Sequence, residues 1–562
     1  MTVIERTSGG LDELRRDLMW NRLISVVQEQ ATTLVRAAFS TSTREAGDLS
    51  AGVFDPQGRM LAQSITGTPG HVNSMAASVL HFLEAFPLAG MSPGDIFLTN
   101  DPWRGTGHLF DIVVVTPVFR QGRAVALFAC TSHVVDIGGT GFSTDSREVY
   151  HEGLFLPIMR FGRDGVFDPN VVAIIEANVR DKVQVIGDIH SLAACNDIGA
   201  KRLVSMMDEY GLDDLDELGE HIIEASRTAM EAAVAELPQG TWHSTMRVDG
   251  MTEPIDIVTT LTVAAGAIDV DFTGTSAQVP FGINVPMAYT TAYTSFGVRC
   301  IVGPDIPNNS GSLSVVRVSA PQGCILNAPH PAAVNVRHVM GQMLPDAVFG
   351  CLAQAVPERV PAEGTSSLWN LLATGTWNPP GASPAAAPER FIMMSFHSGG
   401  AGARPDQDGL SATAFPSGVR NMPVEINELI SPLVFWRKEF RPDSGGAGRY
   451  RGGHGQLIEV ANRQGGDFTI SATYERVVYP ARGRHGGEDG ATGSLFLDDG
   501  TAVKAKGVSV VPGNRRLTVS FPGGGGFGPV AERDPDALER DRLLGFVTRR
   551  ETISPAPGTA RH

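Results

Sequence analysis

The chain has 562 residues, of which 42% are hydrophobic and 19% are charged, and its formal net charge is −16. It is longer than the roughly 250 to 300 residues at which a single hydrophobic core stops growing, so two or more packed regions are expected. The acidic balance disfavours nucleic acid and anionic lipid as partners, no apolar run reaches the roughly 20 residues of a membrane helix, and residues 1–10 lack an export signal, which together predict a soluble, cytoplasmic protein.

The first half of the chain combines helical and strand-like patterns. Over residues 11–39 apolar side chains recur close to the period of an α-helix, which predicts a long opening helix. Helical periodicity returns over residues 171–236, where we interpret the acidic stretch 208–220 as a solvated face. Between these segments, short runs separated by Gly, Pro and Asp predict strands over residues 51–54, 96–99, 112–119 and 124–130.

The second half is richer in strands and turns. A β-rich passage is predicted first, then two helices, a Pro- and Ala-rich linker or long loop, strands and turns up to residue 527, and a charged terminal helix. In that order, the ranges are 240–272, 288–302, 339–355, 379–388 and 535–549.

These patterns predict an α+β protein with a mixed fold of several regions. They are a long N-terminal helix, a region of strands and loops, a helical middle and a β-rich C-terminal region. We place the boundaries so that residues 1–240 form the N-terminal α+β region, 241–390 a central mixed region, 391–530 the β-rich region and 531–562 a terminal helix and tail.

The five cysteines are scattered along the chain, and none is spaced C-x-x-C. An odd number without paired spacing fits neither a disulfide framework nor a thiolate zinc site. We therefore expect buried, reduced thiols at Cys130, Cys195, Cys300, Cys324 and Cys351.

Two H-x-x-D pairs stand close together in the region of strands and loops. The first contains His108 and Asp111, within the stretch N-D-P-W-R-G-T-G-H-L-F-D, and the second contains His133 and Asp136. Asp48, just before the first predicted strand, is a further candidate. Imidazole nitrogens and carboxylate oxygens bind Zn, Mn or Fe(II) where thiolates are absent. The pattern therefore indicates one divalent transition-metal ion in the N-terminal region.

A purely structural interpretation of these residues stays open at this point. A single H-x-x-D pair arises by chance in many proteins. Asp101 and Asp111 could cap turns, while His108 and His133 could bind buried carbonyl groups.

Other chemistries find less support. The chain contains no G-x-S-x-G elbow, no H-E-x-x-H motif and no cysteine in a recognised nucleophile context, which disfavours a serine or cysteine hydrolase. Gly-Lys does not occur, so the glycine run over residues 522–528 is expected to be a tight turn and not a phosphate loop. Two other glycine-rich patches, 398–404 and 444–449, fit either a close approach of backbone to substrate or turns between strands.

Further motifs run through nearly the whole chain. They are Asp48-Leu49-Ser50, Asn100-Asp101-Pro102 with Gly107-His108 and Asp111, Ser132-His133 with Asp136-Ile137-Gly138-Gly139, Glu152-Gly153-Leu154, Gly187-Asp188, Ile283-Asn284-Val285-Pro286, Pro307-Asn308-Asn309, and the glycine-rich stretches 443–453 and 522–528 with Glu532-Arg533-Asp534-Pro535. In this order they resemble the hydantoinase B/oxoprolinase family, which also contains the metal-bearing subunits of acetone and acetophenone carboxylases.

The resemblance implies a single divalent metal held by Asp48, His108, Asp111 and His133. Many amidohydrolase members carry a second His directly after the last of these ligands, whereas this chain has Val134. That departure weakens the transfer of a specific substrate from those members.

The resemblance also implies an A-type partner subunit that binds ATP and Mg and phosphorylates the carbonyl oxygen of the substrate, within a hetero-oligomer. This chain would complete the reaction, either by attack of a metal-activated water on the ring carbon or by stabilising an enolate for carboxylation. Asp136, Glu152 and His71 are candidates for proton transfer. Turn capping or support of the ligands is the alternative role for each of them.

We expect the hydrolytic activity, the opening of a hydantoin, 5-oxoproline or another lactam, because hydrolytic members are the larger part of the family. A subunit of an ATP-dependent ketone carboxylase is the alternative, and the missing second His mildly favours it. A scaffold that has lost its chemistry is a third interpretation, against which the presence of all four implied ligands argues.

Overall fold

Helices and strands mix along the chain in the computed structural model, which describes residues 8–548 except 367, 384 and 386. The predicted α+β class is confirmed. The helices are α1 Ser8–Ala37, α2 Thr41–Arg44, α3 Pro69–Ala85, α4 Pro169–Asn178, α5 Lys182–Tyr210, α6 Asp216–Ala235, α7 Met287–Ile301, α8 Ser310–Leu313, α9 His338–Gly341, α10 Leu344–Ala355, α11 Val424–Ile430 and α12 Pro535–Leu543.

The strands form one sheet of seven and three sheets of four among the described residues. They are β1 Leu49–Phe54, β2 Met60–Gln63, β3 Ile96–Thr99, β4 Asp111–Arg120, β5 Arg123–His133, β6 Met159–Arg163, β7 Val166–Phe167, β8 Gly240–Val248, β9 Ile255–Ala264, β10 Ala267–Asp271, β11 Val316–Ser319, β12 Leu371–Trp377, β13 Glu389–Ser395, β14 Leu433–Phe440, β15 Gln456–Asn462, β16 Phe468–Thr473, β17 Ser494–Leu497, β18 Lys506–Val511 and β19 Leu517–Ser520.

The seven-stranded sheet has the order β2-β1-β5-β4-β3-β6-β7 and all its pairs are antiparallel. Helices α1 and α5 pack on one face and α3 on the other. In β4, Ile112 and Val114 lie in the core with α1 and α5, while Val113 and Val115 lie in the core with α3. Because successive side chains of a strand point to opposite faces, covering both faces makes this strand almost continuously apolar.

The second sheet, in the order β11-β10-β9-β8, is covered by α10 and contacts α6 and α7. Buried and partly exposed residues alternate along β9, as expected for a strand with one face in the core. The third and fourth sheets, β13-β12-β16-β18 and β14-β15-β19-β17, share one hydrophobic core that includes Leu371, Ile470, Val460 and Val519. They form the two layers of a β-sandwich.

Glycine-rich segments pack backbone against backbone beside this sandwich. Gly524 N donates to Gly453 O at 3.0 Å, and Gly453 N donates to Ala401 O at 2.8 Å. A Cβ added to Gly400 would lie 1.8 Å from Gly453 O, and one added to Gly524 would lie 2.0 Å from Ala401 O. As at the axis of collagen, only glycine fits where neighbouring carbonyls occupy the position of a side chain.

Several sequence predictions need correction. The run over residues 522–528 is not a tight turn, because its glycines lie buried in this bundle and bond to other segments. The helix predicted over residues 339–355 is split into α9 and α10, since Pro345 lacks the N–H that would continue it. Helix α3 was not predicted. The terminal helix ends at Leu543, and residue 549 lies outside the described residues.

Four of the five cysteines are buried and Cys300 is half-buried, and the structure describes all five as free thiols. None of the described helices is both long and apolar enough to cross a membrane. Residues 378–388, of which 384 and 386 are not described, connect β12 to β13. The division of the chain at residues 240, 390 and 530 stays a prediction.

The glycine bundle generates a test of stability. Gly524→Ala places a methyl group against Ala401 O, and overpacking of this kind costs about 1 to 3 kcal/mol or more. We expect a lower midpoint of urea unfolding, followed by circular dichroism. Gly90→Ala is the control, because a Cβ there meets nothing within 4 Å. Equal midpoints for both variants would contradict the packing described here.

Candidate metal centre

The antiparallel pair β4–β5 positions the centre. Asp111 is the first residue of β4 and His133 the last residue of β5, and the strand register places them opposite each other. Facing residues in such a pair have Cα atoms roughly 4.5 to 5.5 Å apart. Both residues are buried, and His133 Nδ1 lies 3.3 Å from Asp111 Oδ1.

His108 approaches the same carboxylate from the loop before β4. Its Nδ1 lies 2.8 Å from the carbonyl oxygen of Asn335. Because a carbonyl only accepts hydrogen bonds, Nδ1 carries the proton and Nε2 of the neutral ring presents a lone pair, 2.9 Å from Asp111 Oδ1. Burial, together with the positive charge of Arg337, lowers the pKa of His108 to about 3, so that the ring is neutral near pH 7.

Three atoms at this centre have no hydrogen-bond partner among the described residues, namely His108 Nε2, His133 Nε2 and Asp111 Oδ1. His108, Asp111 and His133 each offer one ligand atom, and these atoms lie within 4.8 Å of one another. An unpaired buried polar atom costs about 1 to 3 kcal/mol. Lone pairs that face each other without a proton between them fit a cation, and this nitrogen and oxygen donor set suits a divalent transition metal.

A cavity of about 30 Å³ adjoins these side chains, which is room for about one water molecule. It contains two of the three predicted proton-transfer or metal residues that come from outside the H-x-x-D motifs, Asp48 and His71. The other lining residues are Thr68, His108, His133, Phe142, Tyr289, Arg337, His338, Gln342, Leu368, Asn370, Phe396 and Val419.

The second oxygen of Asp111 collects three donors. Thr106 Oγ1 donates to Oδ2 at 2.9 Å, His71 Nε2 lies 3.0 Å from it, and Arg337 forms a short, buried ion pair with it. Burial opposes ionisation of Asp111, but His108, His71 and Arg337 outweigh it and hold the pKa of this carboxyl well below its ordinary range. Asp111 is therefore a carboxylate whose Oδ1 alone is left for a further cation.

Asp48 and His71 lie on the far side of Asp111. His71 is in the first turn of α3, and its Nδ1 lies 3.5 Å from Asp48 Oδ1, which accepts a hydrogen bond from Thr68 Oγ1 at 3.0 Å. Burial acts to lower the pKa of His71, but the charges of Asp111 and Asp48 raise it above its ordinary value. Asp48 lies outside the group of three residues, although it lines the same cavity.

Arg337 is a buried residue of this site that the sequence analysis missed. Its guanidinium lies 4.0 Å from the ring centroid of Tyr289, and its Nε donates to Thr106 O at 2.7 Å. Gly107 permits this approach, because its φ is +97° and a Cβ there would lie 2.7 Å from Arg337. Arg337 is 226 residues from Asp111 along the chain, so no local motif connects the two.

Aromatic rings enclose the imidazoles. Phe110 stacks on His133 with ring centroids 5.3 Å apart, and Phe142 meets the same ring edge-on at 5.4 Å. Phe142 also stacks on His338, whose Nε2 has no partner among the described residues. Burial, with Arg337 beside it, holds the pKa of His338 well below its ordinary value. A basic pair of residues directly before a predicted helix was the only sequence signal for Arg337 and His338.

Asp136 and Glu152 do not line this cavity. Asp136 accepts hydrogen bonds from Gly138 N at 3.1 Å and from the guanidinium of Arg180 at 2.7 Å. Val134, at the position of the second His of other family members, is buried in the hydrophobic core.

Glu152 supports the centre from behind. Its Oε1 accepts hydrogen bonds from Ser146 Oγ at 2.9 Å, Val334 N at 2.7 Å and Asn335 N at 2.9 Å. Asn335 is the residue whose carbonyl orients His108. Burial raises the pKa of Glu152 to about 7, against these hydrogen bonds, which lower it.

Comparison with known proteins identifies the arrangement. The model of the hydantoinase B/oxoprolinase family matches residues 12–530. The chain belongs to this family. It is 28% identical to a protein of Pseudomonas sp. named as the B-type subunit of a D-/L-hydantoinase, over 97% of this chain and 94% of that protein. It is 27% identical to 5-oxoprolinase 1 of Arabidopsis thaliana, over 92% of this chain but 42% of that longer protein.

Two solved structures resemble this hydantoinase B/oxoprolinase family member over most of its length. The ATP-dependent caprolactamase from Pseudomonas jessenii has a TM-score of 0.87 at 25% identity and matches 95% of this chain and 94% of that chain. Acetone carboxylase in its nucleotide-free form has a TM-score of 0.82 at 20% identity and matches 95% of this chain and 78% of that chain. The second likeness is one of fold.

The position of Glu152 generates a test that separates its hydrogen bonds from its charge. Glu152→Ala leaves the N–H groups of Val334 and Asn335 buried without an acceptor, which costs about 2 to 6 kcal/mol in total. Glu152→Gln keeps an accepting oxygen, so its loss of stability should be small. Urea unfolding of the three proteins measures both effects.

The same pair predicts a pH dependence. The pKa of Glu152 is raised in the folded chain to about 7 from an ordinary 4.5, so its favourable contribution is present below the ordinary value and is lost as the pH rises through about 7. The stability of the wild type relative to Glu152→Gln should therefore fall between about pH 5 and pH 8. A difference independent of pH would contradict this assignment.

Proposed function

We propose that this chain is the metal-dependent B-type subunit of an ATP-dependent enzyme that opens cyclic amides. The observation that carries the proposal is the buried group of His108, Asp111 and His133 with unpaired ligand atoms, in a family whose named relatives include a hydantoinase subunit and a caprolactamase. Membership alone would leave the chemistry open. The donor set supplies it.

One divalent transition metal, Zn, Mn or Fe, would be held by His108, Asp111 and His133, with Asp48 from the same cavity as the proposed fourth ligand. When bound, such an ion lowers the pKa of water and polarises carbonyl oxygens. The neutral state of His108 and the ionised state of Asp111 are the protonation states in which these groups bind a metal.

The surrounding residues keep these ligands in place. Arg337 and Thr106 hold one oxygen of Asp111, so that the other oxygen faces the imidazoles. Asn335 O fixes the tautomer of His108, which is the usual role of an outer hydrogen bond to a metal ligand. Phe110 and Phe142 cover the imidazoles and restrict the access of water.

Among the three candidates for proton transfer, position favours His71. It lines the cavity between Asp48 and Asp111, within hydrogen-bond reach of the latter. We propose that Asp136 and Glu152 act as positioning residues, Asp136 through Arg180 and Glu152 through Asn335.

We further propose an A-type partner that binds ATP with Mg and phosphorylates the carbonyl oxygen of the cyclic amide, so that the working enzyme is a hetero-oligomer. The name of the Pseudomonas relative, which makes it one subunit of an enzyme, supports this, as does the extra length of the 5-oxoprolinase. The lack of Gly-Lys in the sequence agrees with a nucleotide site on another chain.

The first prediction from this proposal concerns the metal. His108→Ala or His133→Ala should reduce bound metal from about one ion to well below one per chain, because water replaces an imidazole ligand only with a large loss of affinity. Elemental analysis of protein prepared without chelators measures this. His81→Ala is the control, since His81 is exposed on α3 and paired with Glu84. Absence of Zn, Mn, Fe and Co from the wild type, with no thermal stabilisation by any of them, would contradict the proposal.

The second prediction separates hydrolysis from carboxylation in the complex reconstituted with an A-type partner. We expect opening of a cyclic amide without bicarbonate and one solvent oxygen in the new carboxylate, because water is the nucleophile. Running the reaction in 18O-water with 13C-bicarbonate and following the product by mass spectrometry gives different labels for the two reactions. The isolated chain should turn over neither ATP nor the amide.

Asp111→Asn is the matched variant for this experiment, since it removes the proposed ligand charge while leaving the partner unchanged. It should abolish product formation without affecting ATP binding by the partner. Incorporation of 13C into product, with no amide opened across a broad panel, would replace the hydrolase by the ketone carboxylase.

A further inference from the structure

The largest cavity among the described residues lies apart from the metal centre and has a volume of about 720 Å³. This is within the range of roughly 300 to 1,000 Å³ that is usual for small-molecule sites. Its apolar walls include Ile301 from the end of α7, Phe349 from α10, and Phe415. The backbone of Ala401 and Gly402, from the glycine bundle, forms another wall. A ligand with an apolar body fits such a surface.

Asp346 lines this cavity and is 1% exposed. Its Oδ2 accepts a hydrogen bond from Gly364 N at 2.9 Å and a short one from Ser366 Oγ, and it lies 3.9 Å from the guanidinium of Arg476. Its Oδ1 has no partner among the described residues. The carboxylate is thus held by one oxygen, and the other is an acceptor in need of a donor.

Arg404 supplies the complementary group. It lines the same cavity, and its buried Nε has no hydrogen-bond partner among the described residues, while another guanidinium nitrogen donates to Asp408 O at 3.4 Å. One wall therefore offers an unsatisfied acceptor and another an unsatisfied donor.

The charges around Asp346 disfavour a cationic ligand. Behind it lie Glu363 and three arginines, Arg476, Arg482 and Arg484, so the buried cluster carries an excess of positive charge. Burial, with Glu363 nearby, raises the pKa of Asp346 to about 6, which leaves it largely ionised at pH 7 and above. The missing donor is better supplied by a neutral N–H than by an ammonium group.

We propose that this cavity binds a small neutral molecule with an apolar body and an amide group, whose N–H donates to Asp346 Oδ1 and whose carbonyl accepts from Arg404 Nε. A secondary amide, an imide or a ureide has this pair of groups. Two chain segments border both cavities. Gln342 lines the metal cavity and Asp346 the large one, one helical turn further on, and the connection after Phe415 leads to Val419 at the metal cavity.

The assignment of this cavity to the cyclic amide itself rests on the proposed function, whereas the demand for an amide-type ligand rests on Asp346 and Arg404. Cyclic amides satisfy both. A binding measurement that does not require turnover therefore tests the cavity separately from the metal centre.

The experiment titrates the purified full-length chain with ε-caprolactam and with N-methylcaprolactam, which lacks the N–H, and detects binding by saturation-transfer NMR and calorimetry. We expect saturable binding of caprolactam and binding about tenfold or more weaker for the N-methyl compound, since a hydrogen bond to a charged acceptor is lost. Asp346→Asn, which presents N–H groups in place of Oδ1, should weaken caprolactam binding by a similar factor.

Arg404→Met is the second variant and should also weaken binding, so the test survives if Asp346→Asn fails to fold. Asp213→Asn is the matched control, because Asp213 is exposed and outside the cavity. Equal binding of the two lactams, unchanged binding by correctly folded Asp346→Asn and Arg404→Met, or no saturable binding of caprolactam at all would overturn the proposal.

A variant of the metal centre distinguishes the two proposals. His108→Ala should keep the binding of caprolactam while losing metal, if the cavity binds the amide independently. Caprolactam binding by a chain that never holds metal would reject the proposed function and leave the cavity assignment standing. Metal binding without caprolactam binding would do the reverse.

Discussion

The carboxylate of Asp111 is the interaction on which the rest of the site depends. It is fully buried, and four elements supply its neighbours, namely the loop before β4, strand β5, helix α3 and the segment that leads into α9. An isolated buried charge is very costly. Arg337 and Thr106 offset that cost on one oxygen, and the other oxygen faces two imidazoles whose lone pairs also lack a proton. The protein is thus arranged to hold one further positive charge.

The glycine bundle is a second constraint, because it brings distant segments closer together than side chains would allow. Carbonyl groups of one segment occupy the space where a Cβ of the next would lie, as at Gly400, Gly452 and Gly523. Every such contact also satisfies backbone hydrogen bonds that an irregular buried segment would otherwise leave unpaired. The same backbone forms a wall of the large cavity, so this packing shapes a compartment close to the metal centre.

The two cavities differ in what they can do. The one at the metal centre has room for about a water molecule, whereas the large one has room for a small organic ligand. Helix α10 and its preceding turn separate them, and Asp346 at the start of that helix faces a cluster of buried arginines. A division between a centre that activates and a compartment that binds agrees with a subunit that completes a reaction started elsewhere.

The sequence by itself determined the elements whose patterns are local. Apolar periodicity predicted α1, the helical middle and α7, and the alternation of short apolar runs with Gly, Pro and Asp predicted β1, β3, β4 and β5 to within a few residues. His108, Asp111 and His133 were found because they stand close together and flank two strands that pair directly. Helix α3 was missed, and so was the role of its first turn in placing His71 beside Asp111. Only the tertiary structure decided that Arg337 and Asn335, more than 220 residues away, would complete this site, and that Glu152 would support it from behind. The reason is physical, because a carboxylate or an imidazole has the same local pattern whether it caps a turn or meets a charge, and its environment exists only once distant segments have packed around it.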